Sequence, residues 1–257
     1  MARNRIFQCR TPCAAVRKNT RARIIKIPTS LSYFSAKGGQ AYISMIDIIP
    51  SLLVQSEQEF LKQYRGLKKS VSQIQLDIAD GVFVPNATWG NPEVIKKKVD
   101  MRVELHLMVK EPLNELKKWQ SVEQVVRILV HYECMDNLKD IFPTLHAYGW
   151  DISIVLNPDT PIAALDPYLP EIKGVMFMGV YPGFQGQKFI SETINRVRQF
   201  KEKKTNHVVE LDGGVNMETL PDIVKSGVDV ICPGSAIFGN ERSPEENVKR
   251  MKTIIST

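Results

Sequence analysis

The sequence predicts an α/β protein, a single-domain (β/α)8 TIM barrel, on three observations. Eight short runs rich in Val, Ile and Leu recur between residues 46 and 238. Amphipathic stretches with helix-start signals lie between them. Polar side chains interrupt the runs mainly at their C-terminal ends, which in such a barrel converge on one rim. With 257 residues, 43% of them hydrophobic, the chain can bury one sizeable core, and barrels of this kind take roughly 250 residues.

The runs are, in order, residues 46–53 (IDIIPSLL), 73–79 (QIQLDIA), 102–109 (RVELHLMV), 127–133 (RILVHYE), 151–157 (DISIVLN), 174–180 (GVMFMGV), 207–213 (HVVELDG) and 228–238 (VDVICPGSAIF). Near-continuous aliphatic runs suit parallel strands covered on both faces. Ser56 precedes EQEFLKQY, Asn91-Pro92 opens EVIKKKV and Glu111-Pro112 opens LNELKKW. Pro161, Asn216 and Pro244 mark further helix starts, as polar caps and first-turn prolines do. Gly149 and Gly227 fall just past helices, where a left-handed residue ends the last turn. An open doubly wound sheet is the weaker alternative.

Charge is unevenly placed. The net value is +6, yet residues 1–45 hold nine Lys/Arg and no acidic residue, which leaves 25 basic and 28 acidic residues for the rest. Residues 1–44 are therefore set apart as a basic extension from a barrel over 45–257. Three readings of the extension stay open. It has the Arg-rich, acid-free, Ser/Thr-containing character of a transit peptide. It also suits a disordered basic arm that contacts phosphate polymers. Finally, it fits an upstream start, because Met45 directly precedes the first strand-like run.

Some function classes drop out. The barrel segment has no basic stripe with interleaved aromatics, so no nucleic acid is expected to bind it. No apolar run approaches the roughly 20 residues that span a bilayer, so no membrane partner is expected. Four cysteines (Cys9, Cys13, Cys134 and Cys232) are too few and scattered for a disulfide scaffold, and Cys9 and Cys13 lack a second ligand pair for zinc. A reducing compartment is expected: the cytoplasm, or an organelle if the extension is a transit peptide.

Two clusters carry the chemistry. The polar strand ends are Ser51, Asp77 with Asp80, His106, Glu133, Asn157 and Asp212. Any one of these suits a loop cap, but carboxylates and a histidine on three strands together read as catalytic. The second cluster is glycine: Pro182-Gly183-Phe184-Gln185-Gly186, then Asp212-Gly213-Gly214, then Gly234-Ser235. Glycines after the last three strands let backbone N–H groups turn inward to hold a phosphate dianion.

The segments IIPSLL, LDIADGVFVPN, LHLMV, VLNPDTP, MGVYPGFQGQKF, ELDGGVN and PGSAIFG, in this order from about Met45 onward, closely resemble ribulose-phosphate 3-epimerases. The resemblance implies an isomerase of carbohydrate metabolism, in the pentose phosphate pathway, that inverts C3 of a ketopentose 5-phosphate. Inversion needs two acid/base groups, one on each face of a flat intermediate, and the resemblance assigns them to Asp77 and Asp212. A C–H beside a ketone is a weak acid, so the enediolate must be stabilised as its charge develops. The resemblance further implies a divalent cation (Zn, Mn, Fe, Co or Mg) held by Asp77, His106, Asp212 and the residue at position 75, which polarises the ketone. It places a small phosphorylated ketose against Ser51, His106, Met108 and Met178, with the glycine loops (Gly183, Phe184, Gln185, Gly186, Gly213, Gly214, Gly234 and Ser235) around the phosphate. Family members form dimers or hexamers, which implies a homo-oligomer.

Two positions depart from the family pattern. Where the family carries a histidine ligand this chain has Gln75, whose carbonyl oxygen suits Mn2+ or Mg2+ better than zinc-like ions. Where it carries a methionine, part of a thioether wall kept at Met108 and Met178, this chain has Ala79. His131 and Glu133 match a family HxE pattern to which the residues alone assign no role; His146 and His207 read as helix or strand-edge residues. An active pentulose-phosphate epimerase leads. An epimerase of a hexulose phosphate, admitted by the smaller Ala79, and a non-catalytic sugar-phosphate-binding barrel with a degraded metal site are the alternatives. A decarboxylase of the orotidine type is set aside, because Asp77-Ile78-Ala79-Asp80 lacks the interleaved lysine.

Overall fold

The computed structural model describes residues 46–134 and 138–257; the readings of the basic extension and of Cys9 and Cys13 lie outside them. The strands are β1 (Asp47–Ile48), β2 (Ser51–Leu52), β3 (Gln73–Ala79), β4 (Arg102–Met108), β5 (Val125–His131), β6 (Asp151–Leu156), β7 (Gly174–Met178), β8 (Val208–Asp212) and β9 (Val230–Cys232). All pair in parallel, in the order β1-β9-β8-β7-β6-β5-β4-β3-β2.

The two ends of that order are halves of one barrel strand. Asp47 and Ile48 pair with β9, and the N–H groups of Ile49 and Ser51 continue the bonding to Ile231 and Pro233. Ser51 and Leu52 pair with β3, and the Pro50 carbonyl accepts from Gln75 at 2.9 Å. Pro50 has no N–H to donate, so the ladder breaks there although the strand runs on. The run 46–53 thus joins both edges and closes an eight-position barrel.

The α-helices are α1 (Glu57–Leu67), α2 (Pro92–Lys98), α3 (Pro112–Trp119), α4 (Phe142–Tyr148), α5 (Glu192–Glu202), α6 (Leu220–Val224), α7 (Ser235–Phe238) and α8 (Pro244–Ile255). Ser56 and Asn91 cap α1 and α2 through their side chains, and Ser243 caps α8 just before Pro244. Gly149 ends α4 at φ 72°, in the left-handed region expected of it. One helix start is corrected. Pro161 opens two 3-10 turns, Ile162–Leu165 and Leu169–Glu171, and no α-helix. Pro167 and Pro170 remove the N–H groups an α-helix would need there.

Alternation along the strands sorts the core into two shells. Ile74, Leu76, Val103, Leu105, Ile128 and Val130 face the helices and join the large outer cluster. Ile49, Leu129, Val155, Met176, Val208 and Val230 fill the barrel interior. Most other inward positions, on β3, β4, β5 and β8, are polar and buried: Gln73, Gln75, Asp77, Glu104, His106, His131, Glu210 and Asp212.

Candidate active site

Gln75, Asp77, His106 and Asp212 meet at the C-terminal end of the barrel, because β3 and β4 pair Asp77 directly with His106 and β8 brings Asp212 from across the interior. His106 Nδ1 lies 3.0 Å from Asp77 Oδ1 and 3.4 Å from Asp212 Oδ2. Gln75 Nε2 donates to Asp77 Oδ1 at 2.8 Å and to Asp212 Oδ2 at 2.7 Å. Burial pushes the Asp77 carboxyl above the usual carboxylate range, and Asp212 adds to this against the opposing pull of His106. Burial works against an imidazolium at His106, but its bonds to Asp212 and Asp77 outweigh that and lift it to about 10.

The far side of the His106 ring is also organised. Its Nε2 lies 2.8 Å from Nε2 of His131 on β5, with the rings stacked. Burial holds His131 down to about 4, so it is neutral. Its Nδ1 faces Glu133 Oε2 at 3.5 Å, and Glu133 Oε1 accepts from the Asn157 N–H and the Thr160 hydroxyl. The HxE pattern is therefore a support chain behind His106, a role visible only once β4 and β5 are side by side.

Below this lies a charged layer that strand patterning does not single out. Arg127 Nη1 is 2.5 Å from Glu210 Oε1 and 3.4 Å from Glu104 Oε2, and Gln73 donates to Glu104 at 2.7 Å. Burial, with Glu210 nearby, raises the Glu104 carboxyl well above its usual value. The one available signal was the spacing: Glu104 and Glu210 each stand two residues before a rim residue, on the same inward face.

An open cleft lies over the site. Ser51, Asp77, His106, Met108, Met178 and Asp212 line one part of it. Gly183, Phe184, Gln185, Gly186, Gly213, Gly214, Gly234 and Ser235 line the other. Gly213 sits at φ 94°, with Val180 close enough that a side chain would collide. Gly234 leaves room for Gln185 and Ser51, which a Cβ would displace. Leu53, Val180, Gln187 and Cys232 also face the cleft and carry no mark in the sequence beyond their apolar or loop positions.

Other flagged residues fall elsewhere. Asp80 is a loop cap that accepts from the N–H groups of Val82, Phe83 and Lys110. Ala79 packs with Val84 and Met108 behind the cleft wall and does not line it. His146 pairs with exposed Glu171, and His207 bonds the Leu169 carbonyl.

The donor set fits a divalent cation. One atom each of Asp77, His106 and Asp212 lies within 4.8 Å of the others, all three residues buried. Gln75 Oε1 is buried beside them with no hydrogen-bond partner, an oxygen that a half-turn of the amide would present as a fourth donor. Glu104, Glu210 and Cys232 also cluster, but the Arg127 guanidinium already neutralises that layer. Among the described residues no helix is long and apolar enough to cross a membrane.

Comparison with known proteins gives the same direction. The profile of the Ribulose-phosphate 3 epimerase family matches residues 47–238. A ribulose-phosphate 3-epimerase of Bacillus subtilis (strain 168) is 31% identical over 203 residues, 76% of this chain and 93% of the relative. One of Methanocaldococcus jannaschii is 35% identical over 180 residues, 66% of this chain and 74% of the relative. Among solved structures, 3-hexulose-6-phosphate synthase from Salmonella typhimurium matches with a TM-score of 0.63 at 13% identity, covering 82% of this chain and 99% of that one. The tryptophan synthase α-subunit of Pyrococcus furiosus matches at 0.62 and 16% identity, covering 83% and 98%. At such identities these two share the barrel fold and nothing finer.

Proposed function

Because the chain belongs to the ribulose-phosphate 3-epimerase family, an isomerase family, we propose that its rim cleft interconverts ribulose 5-phosphate and xylulose 5-phosphate. One observation carries the reading: Asp77 and Asp212, from strands on different sides of the interior, face one cleft with His106 between them. One carboxylate takes the C3 proton from one face of the sugar. The other carboxyl delivers a proton to the opposite face of the planar enediolate, and the configuration inverts. A raised Asp77 carboxyl suits this work, because a group that releases its proton too readily returns it poorly.

Asp77, His106 and Asp212, with Gln75 through its carbonyl, would hold the divalent cation. When bound it supplies positive charge where the enediolate develops negative charge. Met108 and Met178 present polarisable sulfur to the cleft, and the Gly183–Gly186, Gly213-Gly214 and Gly234-Ser235 loops form the concave end that suits a phosphate. Ser51, backed by Gln185 on its carbonyl, stands between the two ends as a sugar hydroxyl contact. The substrate is thus a small phosphorylated ketose. The cytoplasm is the compartment this reading favours, with residues 1–44 as an addition to the barrel and not part of its chemistry.

The test is interconversion of ribulose 5-phosphate and xylulose 5-phosphate by the purified chain, with Mn2+, Zn2+, Fe2+, Co2+ or Mg2+ supplied in turn. Turnover with at least one cation is expected. No turnover with any of them overturns the reading and leaves a sugar-phosphate-binding barrel.

A further inference from the structure

Gln75 stands two residues before Asp77 on β3, so both side chains point into the barrel. The Gln75 side chain is completely buried. Its amide carries two hydrogens, and two carboxylate oxygens take them, Asp77 Oδ1 and Asp212 Oδ2. The same nitrogen lies 3.3 Å from His106 Nδ1. The amide N–H2 group therefore sits among the three donors that converge as cation ligands. At the other end of the amide, Oε1 is buried without a partner.

This side chain has two distinct settings, related by a half-turn of its last torsion. In one, nitrogen bridges the two carboxylates. In the other, Oε1 would face two carboxylate oxygens, which repel it unless a cation lies between them. We propose that Gln75 is a built-in occupant of the cation position: its amide cross-links Asp77 and Asp212 when the cation is away, and yields to the cation by turning Oε1 inward as a ligand. The proposal rests on the reading of this cleft as a cation-assisted epimerase site. Two consequences follow from the geometry. Cation binding must first break two charge-assisted hydrogen bonds, so it is weaker than an imidazole at this position would allow. The carboxylates also stay in register without a cation, so its removal leaves the fold intact.

Titration calorimetry with Mn2+ and Zn2+, and thermal unfolding with and without chelator, test this on the full chain. In the natural protein, chelation should lower the unfolding temperature only slightly, because the Gln75 cross-link replaces the cation and the cation binds weakly. Gln75→His should bind both ions at least about tenfold more tightly and become chelator-sensitive in its unfolding temperature. Gln75→Leu removes the cross-link without adding a ligand, so its unfolding temperature in chelator should fall below that of the natural chain. Should Gln75→His fail to fold, Gln75→Glu serves in its place, with tighter Mn2+ binding and lower stability in chelator expected. Equal ion affinity of the natural and Gln75→His proteins overturns the proposal, as does an unchanged stability of Gln75→Leu in chelator. Neither readout uses turnover, so a failed epimerase assay and a failed Gln75 proposal are separate results.

Discussion

The Nε2 atoms of His106 and His131 face each other at 2.8 Å inside the barrel. Two imidazole nitrogens at that distance need a proton between them. His106 keeps both ring protons up to about 10 whereas burial holds His131 neutral, so His106 donates and His131 accepts. That fixes Nδ1 of His106 as the atom turned toward Asp77 and Asp212, and Glu133 steadies the far side of His131.

His131 is therefore a positioning residue. His131→Leu should weaken Mn2+ affinity and kcat by about tenfold to a hundredfold, the usual cost of losing a ligand's supporting partner. His131→Gln, which restores an acceptor oxygen, should recover much of both. Calorimetry and steady-state assays check this, and equal losses in the two variants would argue for packing alone.

The two carboxylates should fail in different ways. Asp77→Asn and Asp212→Asn should each lower epimerisation by at least about a hundredfold. Each variant should still exchange the C3 proton of one epimer with solvent deuterium, and the two variants should differ in which epimer they exchange. Proton NMR in D2O reads this. Exchange of the same epimer by both would contradict a two-sided mechanism.

At the opposite end of the cleft, Gly234→Ala should raise KM for the sugar phosphate by about tenfold or more, one lost contact at about 1.4 kcal/mol being tenfold. The backbone there, at φ −104° and ψ −85°, lies outside the helical and extended regions, so some stability should be lost while the new methyl displaces Gln185 and Ser51. Gly213→Ala should cost stability as well, on the order of 1–3 kcal/mol, because its φ is 94°. Parallel KM and denaturation measurements separate the two.

The buried Arg127 should matter for the fold. Arg127→Leu leaves Glu104 and Glu210 facing each other with no counter-charge, a change that costs about 3–5 kcal/mol. For a barrel of this size that is roughly a 10 °C fall in Tm. Replacing Glu104 and Glu210 by apolar residues along with Arg127 should return most of the loss, measured by thermal denaturation.

In chelator, stability should fall on the alkaline side. The folded protein lifts His106 from 6.5 to about 10, so between those values it binds a proton that the unfolded chain has released. The stabilisation is complete below pH 6.5 and disappears as pH rises through 10. Unfolding temperatures across that window should decline for the natural chain and stay flatter for His106→Asn.

Much of the site is legible in the sequence, for identifiable reasons. Strand runs alternate with capped helices, so the barrel follows, and inward polar residues at strand ends place Ser51, Asp77, His106 and Asp212 on one rim. Among the described residues glycines stand where a turn or close approach needs them, which marks the other half of the cleft at Gly213 and Gly234. Pro167 and Pro170 could have warned against a helix after Pro161, since the missing N–H groups are as visible as the start signal.

What the sequence by itself determined, then, is which residues turn inward and at what height, because strand alternation has a period of two. The tertiary structure decided who meets whom around the ring. Gln75 bonds Asp212 across 137 residues of chain, His106 finds His131 on the next strand, and Arg127 reaches Glu210 across 83 residues. Periodicity along a strand carries no information about the position around a closed barrel. That comes from the parallel order of the strands and from the run at Pro50 that closes it.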